Sequence, residues 1–301
     1  MLTKLDNHVS VIDTYALGRP NVVAAYLVTG KEKALIDMGY QSSAALVIRD
    51  VEKSGSAVDG LDYLLPTHVH LDHSGSCGTL AESFVGASIR VHPKGEPHLV
   101  DPTKLWKGAA ELFGDELMQR FGMPQPIEKS RLRVIADDAE IVLGSGLTLR
   151  SLWTPGHASH HLSYELEGTG IVLTGDAVGI RYPEFPVLIP TTPPTSFNFK
   201  LTVESLERIR RIKPTKLLTP HFGLMTNAAD LIDHNLEVLR EWKARIEGMV
   251  RNGNSQDEIT RTLTEKTAQR AGMPVTGIPD YLSVSIRTSV LGFLRYLKAS
   301  N

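Results

Sequence analysis

The chain has 301 residues, 42% of them hydrophobic and 22% charged, which places it with ordinary folded proteins and outside the low-hydrophobicity regime of disordered chains. Its formal net charge of −2 supplies no overall field for displacing counterions, so nucleic acid is not expected as a partner. A single cysteine, Cys77, excludes an intramolecular disulfide framework and a multi-cysteine metal site and agrees with a reducing compartment.

Polar residues are scattered through MLTKLDNHVSVIDTYALG, so neither a signal-peptide core nor a membrane-spanning run is present there, and a cytoplasmic protein without membrane contact is expected. The runs His8 to Asp13, Val22 to Thr29 and Ala34 to Met38, broken by Gly18-Arg19-Pro20 and by Gly30, predict a strand meander. Ser42 to Lys53 reads as a helix ending at Gly55. Leu61 to Leu65 reads as a buried strand that stops at Pro66 and delivers the chain into THVHLDHSGS, a strand-to-helix loop. Ser88 to His92 predicts a further strand. Leu105, Trp106, Ala109, Leu112, Phe113, Leu117 and Phe121 recur at helical spacing over Thr103 to Phe121.

Leu132 to Ile135, Glu140 to Leu143, Leu147 to Leu152, His161 to Glu167 and Ile171 to Thr174 are short strand-like runs divided by Gly or acidic turns. Arg181 to Phe199 holds Pro183, Pro186, Pro190, Pro193 and Pro194 and reads as an irregular loop, a kind that is usually functional in compact domains. Thr202 to Ile212 predicts a helix and Lys216 to Thr219 a strand, with His221 just beyond it. From Ala228 the pattern is helical only: a stripe of Ile232, Leu236, Leu239, Trp242, Ile246 and Met249, then Gln256 to Arg270 and Tyr281 to Lys298. This change divides the chain into a domain over 1–225 and a helical region over 226–301.

The chemistry concentrates at His68, His70, Asp72 and His73. Two imidazoles one residue apart can converge on one ion from an extended loop, with Asp72 and His73 turned to a neighbouring position. Nitrogen and carboxylate donors without thiolate suit zinc, iron, manganese or cobalt in a site that keeps places open for water. Further ligands must come from elsewhere. His157 in TPGHASHH, Asp176 in VLTGDAV and His221 in LLTPHFG each follow an apolar run and adjoin a Pro or Gly that can turn the chain, as ligands along one sheet edge do.

The series T-H-x-H-x-D-H, then G-H, then G-D, then a final His, running from Thr67 to His221, resembles the metallo-β-lactamase superfamily. The resemblance implies an α/β protein, an αβ/βα four-layer sandwich with a helical C-terminal extension. It also implies two divalent metal ions, zinc first with iron or manganese as alternatives: His68, His70 and His157 on one, Asp72, His73 and His221 on the other, and Asp176 bridging them. Asp37 in ALIDMG then supports the metal loop from behind. The implied activity is cleavage of an ester, lactone, thioester or phosphoester of a small molecule by a metal-bridging hydroxide, with Asp72 orienting the water or accepting its proton.

His161 is a candidate proton donor to the leaving group, although His160 and His161 equally suit a supporting pair or a strand edge. His8, His92, His98 and His234 match no motif and read as structural or exposed. Asp176 at the bridging position departs from β-lactamases with a cysteine ligand, and Pro220-His221-Phe222-Gly223 departs from the GHEY-like segment of glyoxalase II. A mononuclear iron oxygenase similar to the persulfide dioxygenases, using only His68, His157 and Asp176, is the alternative; a non-catalytic binding protein is a more distant one. Trp106, Tyr182, Phe185, Phe197 and Phe199 suit either an apolar pocket wall or core packing, and the last helices are a candidate homodimer face.

Overall fold

The computed structural model describes residues 2–55 and 60–300. Seven strands form the first sheet in sequence order: β1 (Leu2–Lys4), β2 (Val9–Asp13), β3 (Ala24–Thr29), β4 (Lys33–Ile36), β5 (Tyr63–Leu65), β6 (Ser88–Val91) and β7 (Leu132–Val134). The first four run antiparallel as the predicted meander; from β4 to β7 the pairing is parallel. Parallel neighbours need crossovers, and the crossovers hold the helices: α1 (Ala44–Lys53), then α2 (Leu71–Ser74) and α3 (Cys77–Ser83), then α4 (Glu96–Val100), α5 (Thr103–Phe113) and α6 (Asp115–Phe121).

The chain continues through β8 (Glu140–Gly144), β9 (Leu147–Trp153), β10 (Leu162–Leu166) and β11 (Ile171–Leu173), then β12 (Ile180–Tyr182), β13 (Phe185–Ile189), α7 (Phe199–Ile212), β14 (Lys216–Thr219) and β15 (Gly223–Met225). It ends in α8 (Ala228–Arg251), α9 (Gln256–Arg270) and α10 (Asp280–Ser300). The second sheet has the order β15-β14-β11-β10-β9-β8, with β11 and β14 parallel and every other pair antiparallel.

Compactness divides the chain into two units. One holds residues up to Trp153, His160–Gly175 and Lys216–Thr226; the other holds Thr154–Ser159, Asp176–Thr215 and the chain from Asn227 onward. The expected division at 226 marks the last strand, but the second unit reaches back beyond it. Thr192 Oγ1 donates to the Ser289 carbonyl at 2.8 Å and Ser289 Oγ donates to the Pro190 carbonyl, tying the segment after β13 to α10.

In the first unit, strand alternation sends each side chain to one of two cores. Val9, Val11, Tyr26, Val28, Ala34 and Ile36 of the first sheet meet Leu147, Leu149, Leu162, Tyr164 and Leu166 of the second. Their neighbours Ile12, Ala25, Leu27, Leu35 and Leu64 face the other way, against Val47 and Val51 of α1 and Leu80 of α3. Cys77 lies in this second core, where burial pushes its thiol up to about 12, so it behaves as a small apolar residue. The inter-sheet core is closed by distant parts of the chain: the Tyr26 hydroxyl donates to the Thr219 carbonyl at 2.6 Å, and the Ala24 N–H donates to the Pro220 carbonyl at 2.8 Å.

Two sequence expectations change. The helical run over Thr103 to Phe121 is two helices, because Gly114 takes φ 78°, a left-handed conformation that ends α5 and starts α6. The Pro-rich segment is not irregular throughout: β12 and β13 pair as an isolated hairpin, whose strands are both edges and so accept Pro186. Tyr182, Phe185 and Phe197 are 4%, 1% and 8% exposed, and Tyr182 meets Tyr281 edge-on at 4.9 Å while Phe197 meets Phe293 at 4.9 Å. These aromatics are core of the second unit, which resolves the two readings of them in favour of packing. Among the described residues, no helix is long and apolar enough to cross a membrane.

Candidate metal centre

Both parallel strands β4 and β5 feed the centre of the first unit. After β4, Asp37 adopts φ 56°, a left-handed geometry that Asp tolerates better than most residues. Its buried carboxylate then reaches the loop after β5. Oδ1 accepts from the Thr67 N–H at 2.8 Å and from Thr67 Oγ1 at 2.9 Å, and Oδ2 accepts from His73 Nδ1 at 2.9 Å. With its hydroxyl proton directed at Asp37, Thr67 Oγ1 is an acceptor toward His68 Nδ1 at 3.1 Å. One carboxylate thereby fixes the proton on Nδ1 of two imidazoles and leaves both Nε2 atoms unprotonated and able to take a metal.

His68 Nε2 lies 2.9 Å from His70 Nδ1, so the two rings of the H-x-H pair converge from opposite nitrogens. Helix α2 starts immediately after His70, whose carbonyl accepts from the Ser74 N–H at 2.9 Å; this turn carries Asp72 and His73 inward. His221 follows β14, with Nδ1 donating to the Val22 carbonyl at 3.3 Å. Its Nε2 stands 3.4 Å from Asp72 Oδ2, and His73 Nε2 stands 3.5 Å from the same oxygen. Asp72, His73 and His221 thus offer two imidazole nitrogens and one carboxylate oxygen within 4.8 Å of one another. His73 is fully buried and Asp72 is 21% exposed at its side chain, a closed cradle with one accessible wall.

In the second unit the same logic recurs. Gly156 takes φ 132°, and a Cβ there would lie 2.4 Å from the Thr202 backbone nitrogen, so only glycine allows the turn that presents His157. His157 Nδ1 donates to the Thr191 carbonyl at 3.0 Å, and Nε2 lies 3.5 Å from Asp176 Oδ2. Thr191 Oγ1 donates to the Asp176 carbonyl at 2.6 Å. Both side chains are 5% exposed as residues.

Of the roles open to His161, its surroundings bear on the supporting one. It is fully buried just before β10, its ring centroid 5.0 Å from that of His68, and a Cβ on Gly175 would lie 2.5 Å from its Nε2. This places it behind His68, where it suits a supporting role. His98, which matches no motif, has a ring neighbour in the structure. It is half-buried on α4, its ring 6.1 Å from His160, whose ring is 6.0 Å from His70. Burial first, and then the Lys104 charge, hold its pKa below the usual imidazole value.

The Asp37→Asn protein should bind zinc about 10–100-fold more weakly than wild type, because the amide cannot accept from both Thr67 and His73. Competition against a chromogenic chelator measures this; unchanged affinity would show that the loop is held without the Asp37 charge.

The profile of the metallo-beta-lactamase superfamily matches residues 18–221. The chain is similar to the metallo-beta-lactamase fold-containing protein ST1585 of Sulfurisphaera tokodaii, 30% identical over 69% of this chain and 75% of that protein. It is similar over shorter stretches to an N-acyl homoserine lactonase of Bacillus thuringiensis, 25% identical over 55% of this chain and 56% of that one. An atrochrysone carboxyl ACP thioesterase of Aspergillus fumigatus is 26% identical over 55% of this chain and 39% of its own length. In structure, the archaeal superfamily protein ST1585 from Sulfolobus tokodaii matches with a TM-score of 0.70 at 24% identity, covering 98% of this chain and 99% of that one. That likeness extends to the fold.

Proposed function

Because the chain belongs to the metallo-beta-lactamase superfamily and is a metallo-hydrolase of it, we propose that it binds two divalent metal ions and cleaves an ester, lactone, thioester or phosphoester of a small molecule. His68, His70 and His157 hold one ion in this reading, Asp72, His73 and His221 the other, and Asp176 is shared. The lactonase and the thioesterase among its relatives both cleave acyl bonds by their names, which favours acyl over phosphoryl substrates.

The donor set fits such ions. His68, His73, His157 and His221 each spend Nδ1 on a protein oxygen, which leaves Nε2 as the basic nitrogen that metals take. The bound cations would lower the pKa of water and polarise the carbonyl or phosphoryl oxygen under attack. Asp72, the accessible member of its triad, orients the attacking water and accepts its proton. Asp37 and Thr67 hold the imidazoles in register, and His161 serves as a positioning residue behind His68.

The observation that carries this reading is the convergence of Asp72, His73 and His221. A single-iron oxygenase requires only His68, His157 and Asp176, so a formed second triad favours two ions. Zinc is expected first, with iron or manganese as alternatives, on a donor set free of thiolate. Elemental analysis of protein prepared without chelator and incubated with zinc, manganese or iron should give two equivalents per chain, together with hydrolysis in an ester, lactone and phosphodiester panel. A folded preparation that never exceeds one equivalent, or an iron-loaded one that consumes oxygen with a persulfide while hydrolysing nothing, would overturn the proposal.

A further inference from the structure

Helix α5 is built as a core helix but is not buried as one. Leu105, Trp106, Ala109, Ala110 and Phe113 share one side, with Lys104, Lys107, Gly108 and Glu111 exposed on the other. The comparable helix α1 buries Ala44, Val47 and Val51, whereas α5 buries none of its eleven residues. Its apolar side is only partly covered, by a small cluster whose fully buried members are Leu71, Met118 and Phe121. Phe121 stacks on Tyr40 at 4.2 Å and meets Phe113 edge-on at 5.6 Å, which makes a rigid aromatic floor. Leu17 packs on the same cluster from a left-handed backbone, φ 57°, its carbonyl accepting from Arg120 Nη2 at 2.9 Å.

The position of this strip matters more than its composition. Leu71, part of its floor, lies between His70 and Asp72 in the chain, so the apolar surface is continuous with the metal loop. At the other flank, His98 on α4, just before α5, has its ring 6.1 Å from that of His160, which in turn lies 6.0 Å from His70. An apolar strip that shares Leu71 with the metal loop and extends along a helix about 16 Å long suits an elongated apolar occupant.

We infer that the α5–α6 strip of Leu105, Trp106, Ala109, Phe113 and Leu117, with Leu17, is the seat of an unbranched alkyl or acyl chain of the substrate. This rests on the hydrolase reading above and specifies its substrate class as medium-chain acyl esters, lactones or thioesters. A second copy of the chain is a poorer occupant, because a stable interface covers roughly 800 Å² per partner, and these side chains are already mostly covered. Burying each added methylene in such a seat raises affinity about three- to fourfold until the strip is filled.

The test is a series of 4-nitrophenyl esters from butyrate to decanoate with the metal-loaded full chain, and calorimetric titration with butyrate and decanoate ions in parallel. In the wild type, kcat/KM should rise about threefold per methylene before levelling, and decanoate should bind where butyrate does not. Ala109→Phe, which fills the strip without removing any packing, should make the series level off at a shorter chain, and Trp106→Ala should lower the decanoate-to-butyrate ratio at least tenfold. A wild-type series that is flat, or a ratio unchanged in both variants, overturns the seat while leaving hydrolysis standing. Decanoate binding that Ala109→Phe abolishes in a protein that hydrolyses no ester supports the seat and removes the hydrolase reading instead. A dimer that Trp106→Ala dissociates, with a flat ester series, would show the strip to be a subunit face.

Discussion

The Asp72→Ala protein should hydrolyse its best ester roughly 10³-fold more slowly than wild type and carry fewer metal equivalents. Two losses combine in one side chain. The Oδ2 atom that stands 3.4 Å from His221 Nε2 and 3.5 Å from His73 Nε2 supplies the only negative charge of that triad, and it is also the triad's accessible proton acceptor. The fold should survive, because Asp72 lies in the first turn of α2 with a side chain 21% exposed, so the far-ultraviolet spectrum and Tm of the metal-free forms should match. Asp72→Asn separates the roles: an amide oxygen can still ligate but cannot take a proton, so turnover per bound metal should remain low even where metal content recovers. Turnover per metal within threefold of wild type in both variants would remove Asp72 from the chemistry.

The Gly292→Ala protein should lose about 2–4 kcal/mol of stability, the largest purely structural effect expected of one methyl group here. A Cβ at 292 would lie 1.7 Å from the Thr192 carbonyl oxygen and 2.6 Å from its carbonyl carbon. Both obstacles are backbone atoms, and Thr192 is itself tied to α10 through Ser289, so neither side can yield without separating the helix from the segment after β13. Gly248 is the control. It lies inside α8 with nothing within 4 Å of its would-be Cβ, and Gly248→Ala should stabilise by about 0.5–1 kcal/mol through helix propensity. Thermal and urea unfolding of the two variants should move in opposite directions. A Gly292→Ala protein as stable as wild type would mean that α10 does not rest directly on Thr192 in solution.

Much of this architecture was legible because local patterns coincide with tertiary roles. The runs around Val9–Asp13, Ala24–Thr29 and Lys33–Ile36 became the antiparallel half of the first sheet, since β-branched segments broken by Gly and Pro leave few other options. The loop after Leu65 was marked by Pro66 and by its cluster of His and Asp residues. What the sequence did not disclose depends on long-range packing. Gly114 carries the break between α5 and α6, but a lone glycine in a helical pattern is usually tolerated. The β12–β13 hairpin was hidden by its prolines, which edge strands accept. The way Thr154–Ser159 and Asp176–Thr215 join the C-terminal helices in one compact unit follows from hydrogen bonds such as Thr192 to Ser289 that span about a third of the chain.

The closure of β3 against the segment after β14 has a consequence on the ribosome. Tyr26 waits for Thr219, 193 residues later, and Ala24 waits for Pro220; at roughly 5–20 residues per second this is a delay on the order of ten to forty seconds. Throughout that interval the meander of β1 to β4 can pair internally, but the apolar face it turns toward β9 and β10 has at first nothing to cover it, and later only a sheet still missing β14. Nascent chains of this length are therefore exposed to mispairing for most of their synthesis. Slower translation lengthens the exposure, whereas lower temperature also weakens the hydrophobic association that drives it, so mispairing of the meander competes with folding mainly before the appearance of His221, the last of its proposed ligands.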